Sequence, residues 1–184
     1  MMTFAPTPLP GSFIIHPEPF ADDRGWFARY YCKKEFSQIG HDKEWVQMNQ
    51  SVNYKKGTLR GMHFQLPPYS EIKLVKCING AVYDVIIDLR KGSETFLQWF
   101  GAELSSENKQ MIYIPAGFAH GFQCLTDQCE LLYHHSEFYL PGVEGGISYN
   151  DPKFNISWPL PVTVVSTKDL SHPLVDENFK GFDL

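Results

Sequence analysis

Two short stretches carry the residues best suited to chemistry. One reads Arg60-Gly-Met-His63-Phe-Gln65; the other reads Pro115-Ala-Gly117-Phe-Ala-His120-Gly-Phe122. A histidine in such a setting has three readings: a proton-transfer base, a metal ligand, or a neutral hydrogen-bonded core residue. A divalent metal site generally takes three or four N, O or S ligands. His16, His41 and His172 take only the structural reading, and His134 and His135 are adjacent, so only one of them faces inward on a strand. A base that removes a proton beside a carbonyl needs company. It requires an orienting carboxylate, a cation for the developing enolate and an acid to return a proton.

The elements that must position these groups are short and β-like. "EIKLVKCINGAVYDVIIDLR" holds two β-branched runs around Asn79-Gly80, which predicts a hairpin with a type I′ turn. "FLQWFGAEL", "QMIYIPAGFAHGFQCL" and "CELLYHHSEFY" predict further strands, the second broken at Pro115 and Gly117. "CKKEFSQIG" predicts a helix ended by Gly40, and "SSENKQ" a polar turn. Alternation points Lys73, Val75 and Cys77 to one face and Ile72 and Leu74 to the other. If the first face is interior, Lys73 is a buried cation that needs an anionic partner or ligand. From about residue 141 the chain reads as ordered loop, because Phe154, Ile156 and Trp158 need burial.

Many short strands with thirteen prolines and fourteen glycines indicate an all-β jelly-roll barrel. No repeat or linker appears, so one domain is expected over residues 1–184. The net charge of −5 and the lack of basic runs argue against nucleic-acid binding. Cysteines 32, 77, 124 and 129 lack paired spacing and read as reduced thiols. With no leader-like start and no long apolar stretch, a cytoplasmic protein without membrane contact is expected.

Pro-Ala-Gly-Phe-Ala-His120 fits the second half-motif of the cupin barrels. Their metal-binding members also carry His-x-His in the first half-motif, where this chain has His63-Phe-Gln65. Beyond that, "FADDRGWF" (20–27), "RGMHFQ", "KLVKCINGAVYDVIIDLRKGS", "IPAGFAHGF", "LLYHHSEFY", "YNDPKFNISWP" and "STKD" (166–169) occur in order along nearly the whole chain. In them the chain resembles the dTDP-4-dehydrorhamnose 3,5-epimerases, cofactor-free cupin-fold isomerases of activated deoxysugar synthesis.

The resemblance implies a set of roles. His63 would be the base that removes protons from C3 and C5 of a nucleotide-linked 4-keto-6-deoxyhexose. Asp169 would orient it, Lys73 would stabilise the enolate, and Tyr133 would deliver a proton to the opposite face. Arg24, Arg60 and Lys168 match pyrophosphate contacts, and Gln47 and Asn49 match nucleoside and substrate contacts. Tyr139 matches the ring stacked on the base, and His120 and Glu144 match sugar contacts. No metal and no redox cofactor are implied. The implied partner is a second copy, in a homodimer with exchanged N-terminal strands that can carry Arg24 or Arg29 to the other site.

One departure concerns the nucleotide. The family has a glutamate three residues after the aromatic that follows Asp-Arg-Gly, where it accepts a bond from thymine. Here Trp26-Phe27-Ala28-Arg29 ends in a side chain with donors only. A cytidine nucleotide is therefore the alternative to thymidine. Epimerisation at one carbon alone is also compatible with these residues. From a different class, so is the chemistry of a metal-dependent cupin oxygenase.

Overall fold

The computed structural model describes residues 1–184. Its strands are β1 (Met2–Pro6), β2 (Phe13–Pro17), β3 (Phe20–Asp22), β4 (Gly25–Phe27), β5 (Gln47–Asn53), β6 (Leu59–Gln65) and β7 (Lys73–Asn79). They continue with β8 (Ala81–Asp88), β9 (Trp99–Ser105), β10 (Met111–Ile114), β11 (Phe118–Cys124), β12 (Cys129–His135) and β13 (Glu144–Gly146). Helix α1 (Lys33–Phe36) runs into a 3-10 turn that ends at Gly40, as expected, and α2 (Thr167–Leu170) lies near the C-terminus. No helix is long and apolar enough to cross a membrane.

Two antiparallel sheets face each other in the expected jelly-roll manner. One has the order β1-β2-β10-β7-β12-β5, the other β13-β6-β11-β8-β9, and β3-β4 form a separate hairpin. Between the sheets lies a core that includes Val75, Cys77, Val82, Ile86, Leu104, Ile112 and Leu131. Each valine, isoleucine or leucine among them, fully buried, contributes about 1.5–3 kcal/mol relative to exposure. A second cluster packs Met62, Val85 and Ile87 under the C-terminal segment with Phe154, Ile156 and Trp158. The third packs Leu74, Met111 and Ile15 under Phe36 of α1. Strand β7 therefore divides its side chains as its alternation predicts, with Leu74 outside and Val75 and Cys77 between the sheets.

The Asn79-Gly80 hairpin does not form. Strands β7 and β8 lie in different sheets, joined by Gly80 alone. One residue is too short for a two-residue hairpin loop, so the chain turns a corner from one sheet to the other. Gly80 has φ of +74°, and a Cβ there would lie 2.4 Å from Thr126 Oγ1. The connection from β11 to β12 changes sheets at the same end, and the two corners are bonded. Asn79 Nδ2 donates to the Gln128 carbonyl at 2.6 Å, and Ala81 N–H donates to Thr126 Oγ1 at 3.2 Å. The segment read as ordered loop also contains a strand, β13, which pairs with β6. The N-terminal strands expected to be exchanged in a dimer pair, in the single chain, with each other and with β10.

Candidate active site

The end of the barrel opposite these corners opens into a pocket of about 270 Å³. Its polar lining follows from period-two strands whose inward positions become hydrophilic toward the mouth. On β5 these are Gln47, Asn49 and Ser51; on β12, Tyr133 and His135; on β7, Lys73. His134 points outward, its ring 6.1 Å from that of Trp45.

Strand β6 breaks the simple pattern. His120 is opposite His63 and Phe122 opposite Arg60, so three steps on β6 match two on β11. This β-bulge turns the strand locally and puts Arg60 and His63, three residues apart, on the same pocket wall. Gly61 permits it: its φ is +132°, and a Cβ there would sit 2.6 Å from the Gly121 Cα.

His63 Nε2 donates to Asp169 Oδ1 at 2.9 Å, leaving the other ring nitrogen to accept a proton. Asp169 Oδ2 accepts the Gly61 N–H at 3.1 Å. The aspartate stands in the first turn of α2, whose N-cap Ser166 Oγ accepts the Asp169 N–H at 3.0 Å. Burial alone would raise the Asp169 pKa, but the bond and charge of His63, with the Gly61 and Ser166 contacts, hold it at about 2. It is thus a carboxylate at neutral pH, as a group that orients an imidazole and steadies its charged form must be.

Tyr133 and Ser51 share a hydrogen bond of 2.9 Å. Burial pushes the Tyr133 phenol well above its ordinary pKa, against the Ser51 bond, so it is held as a proton donor. Lys73 is 7% exposed, with Nζ 3.0 Å from Glu71 Oε1, which answers the requirement of a buried cation for an anionic partner. His135 Nδ1 lies 2.7 Å from the other Glu71 oxygen. Burial would raise the Glu71 pKa, but Lys73 and His135 hold it at about 2. His63 belongs to the five-stranded sheet, whereas Tyr133 and Lys73 belong to the six-stranded one. A ligand between the sheets therefore meets the histidine on one side and the phenol on the other.

Arg60 Nε donates to Asn53 Oδ1 at 2.7 Å, which leaves its terminal nitrogens for an anion. His120 is buried and bonds through Nε2 to Asp84 Oδ2 at 2.8 Å. Tyr139 and Glu144 close the mouth, and Lys168, outside it, bonds to Glu144 Oε2 at 2.7 Å. The single chain does not bring Arg24 or Arg29 to the pocket. Arg24 lies on the β3-β4 hairpin and forks onto Asp22, and Arg29 NH1 is 3.5 Å from Glu35. Ser51, Asn53 and Asp84, which support the proposed groups, escaped the sequence reading, and of the adjacent histidines His135 is the one that faces inward. The i, i+2 phase of β5 would have found Ser51 and Asn53.

A carboxylate-held imidazole, a protonated phenol and a buried ammonium line one pocket of this jelly roll, an arrangement chemically suited to moving protons at carbon. Comparison with known proteins makes the class specific. The sequence profile described as dTDP-4-dehydrorhamnose 3,5-epimerase matches residues 6–177, and the chain belongs to that family. The Salmonella typhimurium dTDP-4-dehydrorhamnose 3,5-epimerase is 43% identical over 96% of this chain and 97% of its own. The Bacillus anthracis enzyme, solved with TDP and pyrophosphate bound, superposes with a TM-score of 0.92 at 39% identity, covering 95% of this chain and 100% of its own. The Legionella pneumophila enzyme, solved in complex with dTDP-4-keto-L-rhamnose, gives 0.92 at 37% identity, covering 100% of both chains.

Proposed function

We propose that this chain epimerises dTDP-4-dehydro-6-deoxy-D-glucose at C3 and C5, acting through His63, Asp169, Lys73 and Tyr133. The opposed placement of His63 and Tyr133 carries this reading, because inversion requires that a proton leave one face of a carbon and another arrive at the opposite face. The C4 ketone acidifies the protons on C3 and C5. His63 takes one, and the electron pair moves into the C3–C4 or C4–C5 bond and onto O4. Lys73 stabilises that oxyanion, whose charge is present mainly near the transition state. Tyr133 then protonates the carbon from the other sheet, and exchange with solvent resets both groups.

Arg60 and Lys168 hold the pyrophosphate, Tyr139 stacks on the base, and Gln47 and Asn49 contact nucleoside and substrate. His120 and Glu144 contact the sugar. The chain works as a homodimer in which the β3-β4 hairpin reaches the partner's site. Phe20, Trp26 and Phe27 stand exposed on that hairpin around Arg24, which supports its burial against a second copy. The exchanged segment is then the hairpin, with β1 and β2 kept in their own sheet.

Incubation with substrate in D₂O tests the assignment. Wild-type protein should incorporate deuterium at both C3 and C5, and failure to exchange at either carbon overturns it. Tyr133→Phe should separate the two half-reactions. Deuterium still enters where His63 removes and returns a proton, while inverted product falls about 10²-fold or more; equal loss of both would remove Tyr133 from the acid role. Within the single chain Arg29 lies 3.5 Å from Glu35 and outside the pocket, which supports thymidine. Calorimetric titration should show dTDP binding more tightly than CDP, and the reverse order would restore the cytidine reading.

A further inference from the structure

Beside the proposed base stands a third side chain that the epimerisation does not use. His172, three residues after Asp169, lies with its ring 5.5 Å from that of His63 and its Nε2 3.7 Å from Asp169 Oδ1. That Nε2 is buried and has no hydrogen-bond partner, an arrangement that costs free energy unless something fills the role. The ring rests on the bare backbone of β13: a Cβ on Gly146 would come within 2.4 Å of three of its atoms. Its orientation is therefore fixed by packing.

We infer that His63, Asp169 and His172 form a site for a borderline transition-metal ion of the Zn²⁺ class, and that the ion inhibits the enzyme by occupying its base. One ligand atom from each of the three lies within 4.8 Å of the others. Tetrahedral zinc with bonds of about 2.0–2.1 Å separates its ligand atoms by about 3.3 Å. The 2.9 Å and 3.7 Å distances from Asp169 Oδ1 bracket that value, and the two imidazole nitrogens lie within 4.8 Å of each other, so rotation of the part-exposed His63 ring toward the packed His172 closes the set. Two imidazoles and one carboxylate with a free fourth position are a zinc-type donor set, whereas Mg²⁺ and Ca²⁺ require oxygen. The Gly61 N–H bond to Asp169 Oδ2 leaves Oδ1 for the metal and orients the carboxylate as outer partners do. The His63 side chain is 39% exposed and borders both the main pocket and a second cleft beside Ser166 and Lys168, so an ion has a route in. The ion takes the Nε2 lone pair in place of the proton that His63 donates to Asp169, and the neutral ring then carries its one proton on Nδ1, so no nitrogen remains to accept one from the substrate.

The test titrates the full-length protein with Co²⁺, read by its visible bands, and with Zn²⁺, read by competition. Turnover is followed in parallel, and Mg²⁺ serves as control. One ion per chain is expected, with turnover falling as the site fills and returning on addition of a chelator, and with no effect of Mg²⁺. His172→Ala should keep metal-free turnover and lose at least about 10-fold in ion affinity. His172→Phe fills the same slot without the nitrogens and guards against a packing defect in the first variant. Unchanged ion affinity in both variants overturns the site, and full turnover at full occupancy overturns the inhibition. The Co²⁺ spectrum needs no turnover, so it reports on the site even if the epimerase assignment fails.

Discussion

Deuterium from solvent stops entering the substrate when His63 is replaced by alanine, and kcat falls about a thousandfold or more. General-base catalysis supplies roughly 10²–10⁴-fold, and the other groups on that wall are poor substitutes: His120 is tied to Asp84 at 2.8 Å and Glu144 to Lys168 at 2.7 Å, Arg60 has no acceptor, and Asp169 lies behind the histidine. The substitution removes a partly exposed ring, so little packing is lost. Asp169 does lose its partner, but the Gly61 and Ser166 contacts remain, and a modest drop in Tm of folded protein is expected. Exchange within tenfold of wild type, measured by NMR at either carbon, would move the base elsewhere.

Lys73→Met should damage both catalysis and the fold, and the two effects are separable. Losing a preorganised group that stabilises an oxyanion costs about 10²–10³ in kcat. Removing one member of a buried ion pair costs about 3–5 kcal/mol, because the other charge is stranded. Glu71 keeps His135 as a partner at 2.7 Å, which places the expected loss at about 3 kcal/mol, the lower end of that range. Adding Glu71→Gln to Lys73→Met should recover much of the stability in a denaturant titration and none of the turnover. Recovery of turnover in the double variant would show that Lys73 serves packing rather than the enolate.

Much of this was legible in the residues, for identifiable reasons. Period-two alternation on β7 put Lys73 on one face with Val75 and Cys77, because a strand has only two faces, and the structure turns that face inward. The same logic cannot place Arg60 beside His63, since an odd spacing on a regular strand sends them to opposite faces; only the bulge at Gly61 reunites them. Asn79-Gly80 has the composition of a hairpin, but Gly80 stands alone between strands whose apolar faces belong to opposed sheets, so tertiary packing overrode the turn preference. Asp169 is 106 residues from His63, beyond any local pattern, and it was found through family resemblance. Asp84 escaped because a carboxylate inside "YDVIID" gives no sign of the histidine that it meets on the neighbouring strand.

The corners at Gly80 and at residues 125–128 bear on more than chain reversal. Lys73, Asp84, His120 and Tyr133 lie on the four strands that these corners join in pairs, and each pair spans both sheets. The bonded corners thus act as the fulcrum of a pair of calipers, with the substrate between the tips. How faithfully the reaction sets the handedness of C3 and C5 then depends on how far those tips can spread. Stereochemical fidelity becomes a mechanical property of the barrel, governed partly by residues at the end the sugar never reaches.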